Sequence, residues 1–335
     1  MKVVIGGAQR SGTSFLRSIL GSHSEIAMFP YDLRLWTKYW PEVGPGPVST
    51  SGQKALLNSI LLDEKTLIAE DVPSFDQVHE RMIQGKQPTV SAMYVFDCFL
   101  AAYARNRGRS VWGHKTPWNE YYAKDILGEW SDVYFIHLIR NPLHSAISAK
   151  HAEGGSWFYD PFLHIERWRK SAELALQNGR TYPDKYMVIR YEDLKANPRL
   201  VSQSLCNFLG LKFEKGMETG SKQPGWEGNN SSFLRESSLK GGTRNKSLPP
   251  YLEKLYRKKL KPQMEHFGYL DTSVDSRFDS LHTLAVGCHR LWLSAIYLAI
   301  RLRKRLNALT QPEASRRQYF MTFTENEGLW KSQSS

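Results

Sequence analysis

Lys2-Val3-Val4-Ile5-Gly6-Gly7-Ala8-Gln9-Arg10-Ser11-Gly12-Thr13-Ser14-Phe15-Leu16-Arg17-Ser18-Ile19-Leu20-Gly21 is the stretch whose reading decides the fold. Its β-branched opening stops at two glycines, which predicts a short strand, and residues 14–20 read as a helix closed by Gly21. Between them a glycine-bearing loop feeds a helix N-terminus. Such a loop aims several backbone N–H groups at one point, where the helix dipole adds positive potential. The ligand it predicts is a phosphate. A tight turn that merely joins strand to helix is the plainer reading of the same residues.

Against the nucleotide-binding P-loop pattern G-x-x-x-x-G-K-[ST], Gly7, Gly12 and Ser14 fall on their marks, and Thr13 stands where the lysine belongs. That lysine serves the β- and γ-phosphates of a triphosphate, so its loss argues against ATP or GTP chemistry. Arg10 offers a cation instead. The signature G-x-x-R-S-G-T-[ST] opening the first helix resembles the 5′-phosphosulfate loop of sulfotransferases that use 3′-phosphoadenosine 5′-phosphosulfate (PAPS), in the branch of the carbohydrate, protein-tyrosine and related bacterial enzymes. The resemblance implies that Arg10, Ser11, Gly12, Thr13 and Ser14 bind the 5′-phosphosulfate.

A second stretch adds to it. Val133-Tyr134-Phe135-Ile136-His137-Leu138-Ile139 is the strongest strand of the chain, and it ends at Arg140-Asn141-Pro142, where proline opens a helix. Strand, arginine and a serine eight residues later resemble the family's 3′-phosphate site. On that likeness Arg140 grips the phosphate through two parallel N–H···O bonds and Ser148 donates a hydroxyl.

Val111-Trp112-Gly113-His114-Lys115-Thr116-Pro117 predicts a strand ending in a turn. In the family a lysine at this place contacts the transferring sulfonate, and a fixed ammonium there stabilises charge building on the leaving phosphate oxygen. Lys115 is the expected cation, although a lysine in a turn is otherwise simply solvated. His114 beside it is either a second candidate base or a packing and hydrogen-bonding residue. The resemblance places the general base just past the strand near Ile26-Ala27-Met28, at Asp32; the same aspartate also suits the cap of a helix beginning at Leu33. Tyr31 replaces the second acidic residue of the protein-tyrosine branch, which argues against a peptide acceptor.

Further along, residues 90–103 and 161–177 read as helices. Residues 186–194 read as a strand ending in Tyr191-Glu192-Asp193-Leu194, with these acids mainly structural. Lys240-Gly241-Gly242-Thr243-Arg244 is a basic glycine loop before a predicted helix over 249–267. By resemblance Lys240 and Arg244 join the cofactor site; a solvated surface loop is the alternative.

The chain's 335 residues and 41% hydrophobic content suit one sizeable α/β domain plus an extension. Cys98, Cys206 and Cys288 lie far apart without C-x-x-C spacing, so neither disulfides nor a zinc site are expected. A strand beginning at Lys2 leaves no room for a leader, and the expected setting is the cytoplasm. With 45 Lys and Arg against 33 Asp and Glu, the net charge of +12 favours anionic ligands, but no motif for reading nucleic acid is present, and none is expected as a partner.

The expected architecture is a three-layer, P-loop-kinase-like α/β domain with a central parallel sheet over residues 1–270. A helical, basic extension follows over 271–335. Within it, residues 281–309 combine an apolar run too short to span a bilayer with Arg301, Arg303, Lys304 and Arg305, which suits peripheral membrane contact, packing on the domain, or a homodimer. The expected reaction, implied by the resemblance, is transfer of sulfonate from PAPS to a hydroxyl of a carbohydrate or small-molecule acceptor, without a metal. A P-loop small-molecule kinase and a non-catalytic, membrane-associated nucleotide-binding protein are the alternatives.

Overall fold

The computed structural model describes residues 1–85, 90–151, 159–220, 247–270 and 280–310, excepting the side chains of 300 and 303–310. In chain order the strands are β1 (Lys2–Gly6), β2 (Ile26–Met28), β3 (Pro47–Val48), β4 (Val90–Ser91), β5 (Val111–Lys115), β6 (Val133–Ile139) and β7 (Tyr186–Arg190). β3 and β4 form a small antiparallel pair. The others make one parallel sheet in the order β2-β5-β1-β6-β7.

Both faces of that sheet are covered, which is why its strands are almost continuously apolar rather than alternating with polar residues. Val3, Ile5, Ile136 and Leu138 pack with Leu16, Ile19 and Leu20 of helix Thr13–Gly21 and with Leu205 and Leu209 of helix Pro198–Leu209. On the other face Val4, Trp112 and Phe135 pack with Trp36 and with Phe96 and Phe99 of helix Ala92–Asn106. The result is the three-layer arrangement of the P-loop kinases, followed by a long C-terminal helix, Ser280–Thr310.

The strand order creates the site. From β1 the chain runs outward to β2 and back to β5 on one side, then crosses to β6 and β7 on the other. The loops after β1 and β6 therefore diverge, and ligands of open α/β sheets collect in the crevice so formed at the carboxyl ends of the strands.

Several predicted boundaries move for local reasons. Residues 90 and 91 belong to β4, and the Ser91 hydroxyl accepts the Tyr94 N–H to cap helix Ala92–Asn106. The predicted helix over 249–267 is two, Pro250–Lys259 and Lys261–His266, because Pro262 has no N–H for a continuous ladder. The strand at 186 ends at Arg190, and Tyr191–Ala196 is a short helix. Past β2 no helix begins at Leu33; a five-residue π-helix, Leu35–Tyr39, begins two residues later with Arg34 at its N-cap position and no side-chain cap bond, so Asp32 is not a cap.

Two compact units divide the chain, Met1–Pro249 with Tyr256–Asp275, and Pro250–Leu255 with Ser276–Ser335. The sheet and everything described next belong to the first. Within the second, the Tyr251 hydroxyl bonds His289 Nδ1 at 2.7 Å.

Candidate functional site

The loop after β1 is pinned from two sides. Gly7 has φ +143, and a Cβ there would lie 2.4 Å from the Leu138 carbonyl oxygen of β6. Gly12, at φ +95, caps the first helix, and a Cβ on it would sit 2.3 Å from the Tyr191 ring. Both positions need glycine on conformational and steric grounds. Arg10 also has a left-handed backbone, φ 67. Its carbonyl accepts a hydrogen bond from Arg140 Nη1 at 3.0 Å, which holds this costly conformation.

That contact joins the two sequence motifs. Arg10 Nε donates to Ser148 Oγ at 3.2 Å, so Arg10, Arg140 and Ser148 share one patch, and Arg10 stands two residues before the N–H groups of Gly12, Thr13 and Ser14 that open the first helix. These first N–H groups of a helix have no partner within it. The Arg140 guanidinium stacks 4.4 Å from the centre of the Tyr191 ring, the ring that packs on Gly12. Glu192 braces the β6 loop, accepting from Asn141 N–H and from the Tyr269 hydroxyl, both at 3.0 Å. Burial lowers the pKa of both arginines, and the Arg140 charge lowers that of Arg10 further. Two such cations in low dielectric are stabilised by sharing an anion. Ser11 Oγ and Arg140 Nε are buried without a partner among the described residues, which suits an anionic ligand placed between them.

A second cluster stands at the end of β5. Lys115 is 2% and Arg17 3% exposed, and both face the same oxygen of Asp32. Lys115 Nζ donates to Asp32 Oδ1, and Arg17 Nη1 lies 3.6 Å from it. The Asp32 side chain is 41% exposed, and its Oδ2 makes no hydrogen bond or ion pair among the described residues. Burial pushes the Lys115 pKa down to about 8, with Arg17 adding to the shift and Asp32 opposing it. For Asp32 burial acts upward, but Lys115 and then Arg17 outweigh it, and the carboxyl stays below its ordinary range.

His114 takes no part. It is fully buried, with Nε2 2.5 Å from the Leu33 carbonyl and Nδ1 3.3 Å from the Asn119 amide nitrogen. Burial drops its pKa to about 4, so it is a neutral strut, the second of the two readings the sequence allows.

Two functional groups escape sequence reading. Arg17 carries one weak signal, a charge inside the otherwise apolar run of the first helix. Glu120 carries none. It is wholly buried, and its Oε2 accepts the Gly7 N–H at 2.7 Å. Its Oε1 accepts Ser171 Oγ–H at 2.7 Å; Ser171 lies 3.0 Å from His137 Nε2, and His137 Nδ1 lies 2.6 Å from the Tyr186 hydroxyl. With Ser171 donating to Glu120, the chain closes if His137 carries its proton on Nε2 and accepts from Tyr186. Burial lowers His137 to about 3, so it stays neutral, and burial raises the pKa of Glu120.

Lys240 and Arg244 lie outside the described residues. Among the described residues no three His, Cys, Asp or Glu side chains gather as metal ligands do.

The model of the sulfotransferase family matches residues 2–215, well over half of the chain. This chain belongs to the sulfotransferase family. The matched region of this sulfotransferase takes in the β1 loop, Asp32, Lys115, Arg140 and Ser148, and ends before Lys240. Among solved structures, it is similar to the sulfotransferase domain of the Synechococcus PCC 7002 olefin synthase, at 20% identity over 81% of this chain and 96% of that one, TM-score 0.46. A sulfotransferase from Alicyclobacillus acidocaldarius is 17% identical over 81% and 96%, TM-score 0.41. A retinol dehydratase in complex with retinol and PAP is 11% identical over 83% of each chain, TM-score 0.34. No curated protein matches the sequence.

Proposed function

We propose that this sulfotransferase moves the sulfonate of PAPS to an acceptor hydroxyl, on a carbohydrate or a small-molecule alcohol. The observation that carries the reading is the direct linkage of two anion-binding loops: Arg140 bonds the Arg10 carbonyl while Arg10 bonds Ser148. A donor that carries both a 5′-phosphosulfate and a 3′-phosphate needs cations from two loops held in one crevice, and these bonds tie the two loops together. ATP chemistry, by contrast, wants a lysine where Thr13 stands.

In this reading Arg10 and the N–H groups of residues 11–14 hold the phosphosulfate, and Arg140 with Ser148 holds the 3′-phosphate. Lys240 and Arg244 are added contacts on the strength of sequence alone. Asp32 Oδ2, which neither cation touches, accepts the proton of the acceptor hydroxyl. The acceptor oxygen forms its bond to sulfur as the bond from sulfur to the 5′-phosphate oxygen breaks, and 3′-phosphoadenosine 5′-phosphate leaves. Lys115 turns from Asp32 to that oxygen and offsets its growing charge. Arg17 keeps Asp32 in place while Lys115 is engaged. Cys98, Cys206 and Cys288 are all free thiols, which suits the reducing cytoplasm.

The test is label transfer from radiosulfur-labelled PAPS to a panel of sugars, phenols and aliphatic alcohols. Transfer to one acceptor class, lost in Lys115→Ala while that variant still binds the nucleotide, is the expected result. Full activity of Lys115→Ala would remove the lysine from the mechanism.

A further inference from the structure

Helix Ser280–Thr310 divides its circumference into sectors. Val286, His289, Leu293 and Ile296 mark its least exposed side. A second sector, spanning an arc of about 120° at 100° per residue, carries Leu281, Leu284, Leu291, Trp292, Leu298 and Leu302. These side chains are 73, 65, 73, 58, 59 and 51% exposed. A continuous apolar stripe of that length on a soluble surface marks a contact site.

Charge decides what covers it. Residues 280–310 include Arg290, Arg301, Arg303, Lys304 and Arg305 and not one Asp or Glu. A second copy of the helix would bring leucines to leucines but cations to cations, with no acidic group on either helix to pair them. An anionic lipid surface meets both demands, because acyl chains take the leucines and the negative surface potential attracts the net positive charge of the segment. Among the described residues no helix is long and apolar enough to cross a membrane. An exposed tryptophan beside the leucines is the residue type that settles at the lipid–water boundary.

We propose that helix Ser280–Thr310 docks this enzyme on membranes containing anionic phospholipid, lying in the plane of the surface with the Leu281-to-Leu302 stripe inward. The inference rests on this helix alone and not on the sulfonate donor.

The experiment is co-sedimentation of the full chain with phosphatidylcholine vesicles, with and without phosphatidylglycerol, beside light scattering to count subunits. Binding only to the phosphatidylglycerol vesicles, weakened by salt, is expected. The double variant Leu291→Ser/Leu298→Ser leaves the net charge unchanged and alters only exposed positions, and it should bind about tenfold less or worse. Undiminished binding by that variant would mean that general basic charge, not the helix, holds the vesicles, and would overturn the proposal. So would failure of the full chain to bind, or a dimer without vesicle binding that the double variant splits into monomers.

Discussion

Lys115 is an ammonium taken almost wholly out of water, and its charge at neutral pH depends on two neighbours of opposite sign. Its pKa of about 8 means that the free enzyme loses this cation as pH rises through that value, so kcat/KM for PAPS should fall above it. Asp32 raises the lysine's pKa and Arg17 lowers it. The basic limb of the pH profile should therefore move down in Asp32→Asn and up in Arg17→Met, in whatever activity each retains. Lys115→Arg, whose guanidinium does not titrate there, should lose the limb altogether. Limbs that stay put in all three variants would show that another group titrates. Arg17→Met should also cut kcat more than it changes the KM for PAPS, since its contact is with Asp32 and not with the nucleotide loops.

The β1 loop is an element held from outside itself. Gly12→Ala must displace the Tyr191 ring, and with it the stacked Arg140, so nucleotide affinity should drop about tenfold or more while the protein stays folded. Calorimetric titration of that variant checks it; unchanged affinity would detach Tyr191 from the site. Beneath the loop, Glu120→Ala strands the Gly7 N–H and the Ser171 hydroxyl in the interior, at about 1–3 kcal/mol for each orphaned donor, measurable by denaturant unfolding. Glu120→Gln keeps an acceptor oxygen and should recover part of that loss. What was legible in the sequence follows the same division. The β1 loop and the Arg140 helix start are short-range patterns, in which glycine, arginine and proline act on their own neighbours, and both occupy the places their sequence implied. Glu120 and Gly7 are 113 residues apart and meet only because β1 and β5 pair; the carboxylate looks ordinary within Trp118-Asn119-Glu120. Asp32 read equally as a cap or a site residue; the element that follows begins at Leu35 with Arg34 at its N-cap, which removes the first reading, and the pH profiles of the Asp32 and Lys115 variants test the second.

At the scale of the whole molecule, the parallel sheet brings four cations from distant parts of the chain, Arg10, Arg17, Lys115 and Arg140, to the carboxyl ends of β1, β5 and β6. A positive crevice of this kind attracts a highly charged nucleotide from a distance, and its on-rate should fall as salt rises. Stopped-flow binding at increasing ionic strength measures this, and a salt-independent rate would contradict it. The central claim is that the loops after β1 and β6 together hold a 3′-phosphorylated nucleotide. Isothermal titration of the protein with 3′-phosphoadenosine 5′-phosphate, beside ATP with Mg²⁺, tests it most directly. The account predicts micromolar binding of the 3′-phosphorylated nucleotide, on the order of −8 kcal/mol, abolished in Arg140→Ala, with ATP much weaker. Tighter binding of ATP, or binding of 3′-phosphoadenosine 5′-phosphate that survives the loss of Arg140, would contradict it.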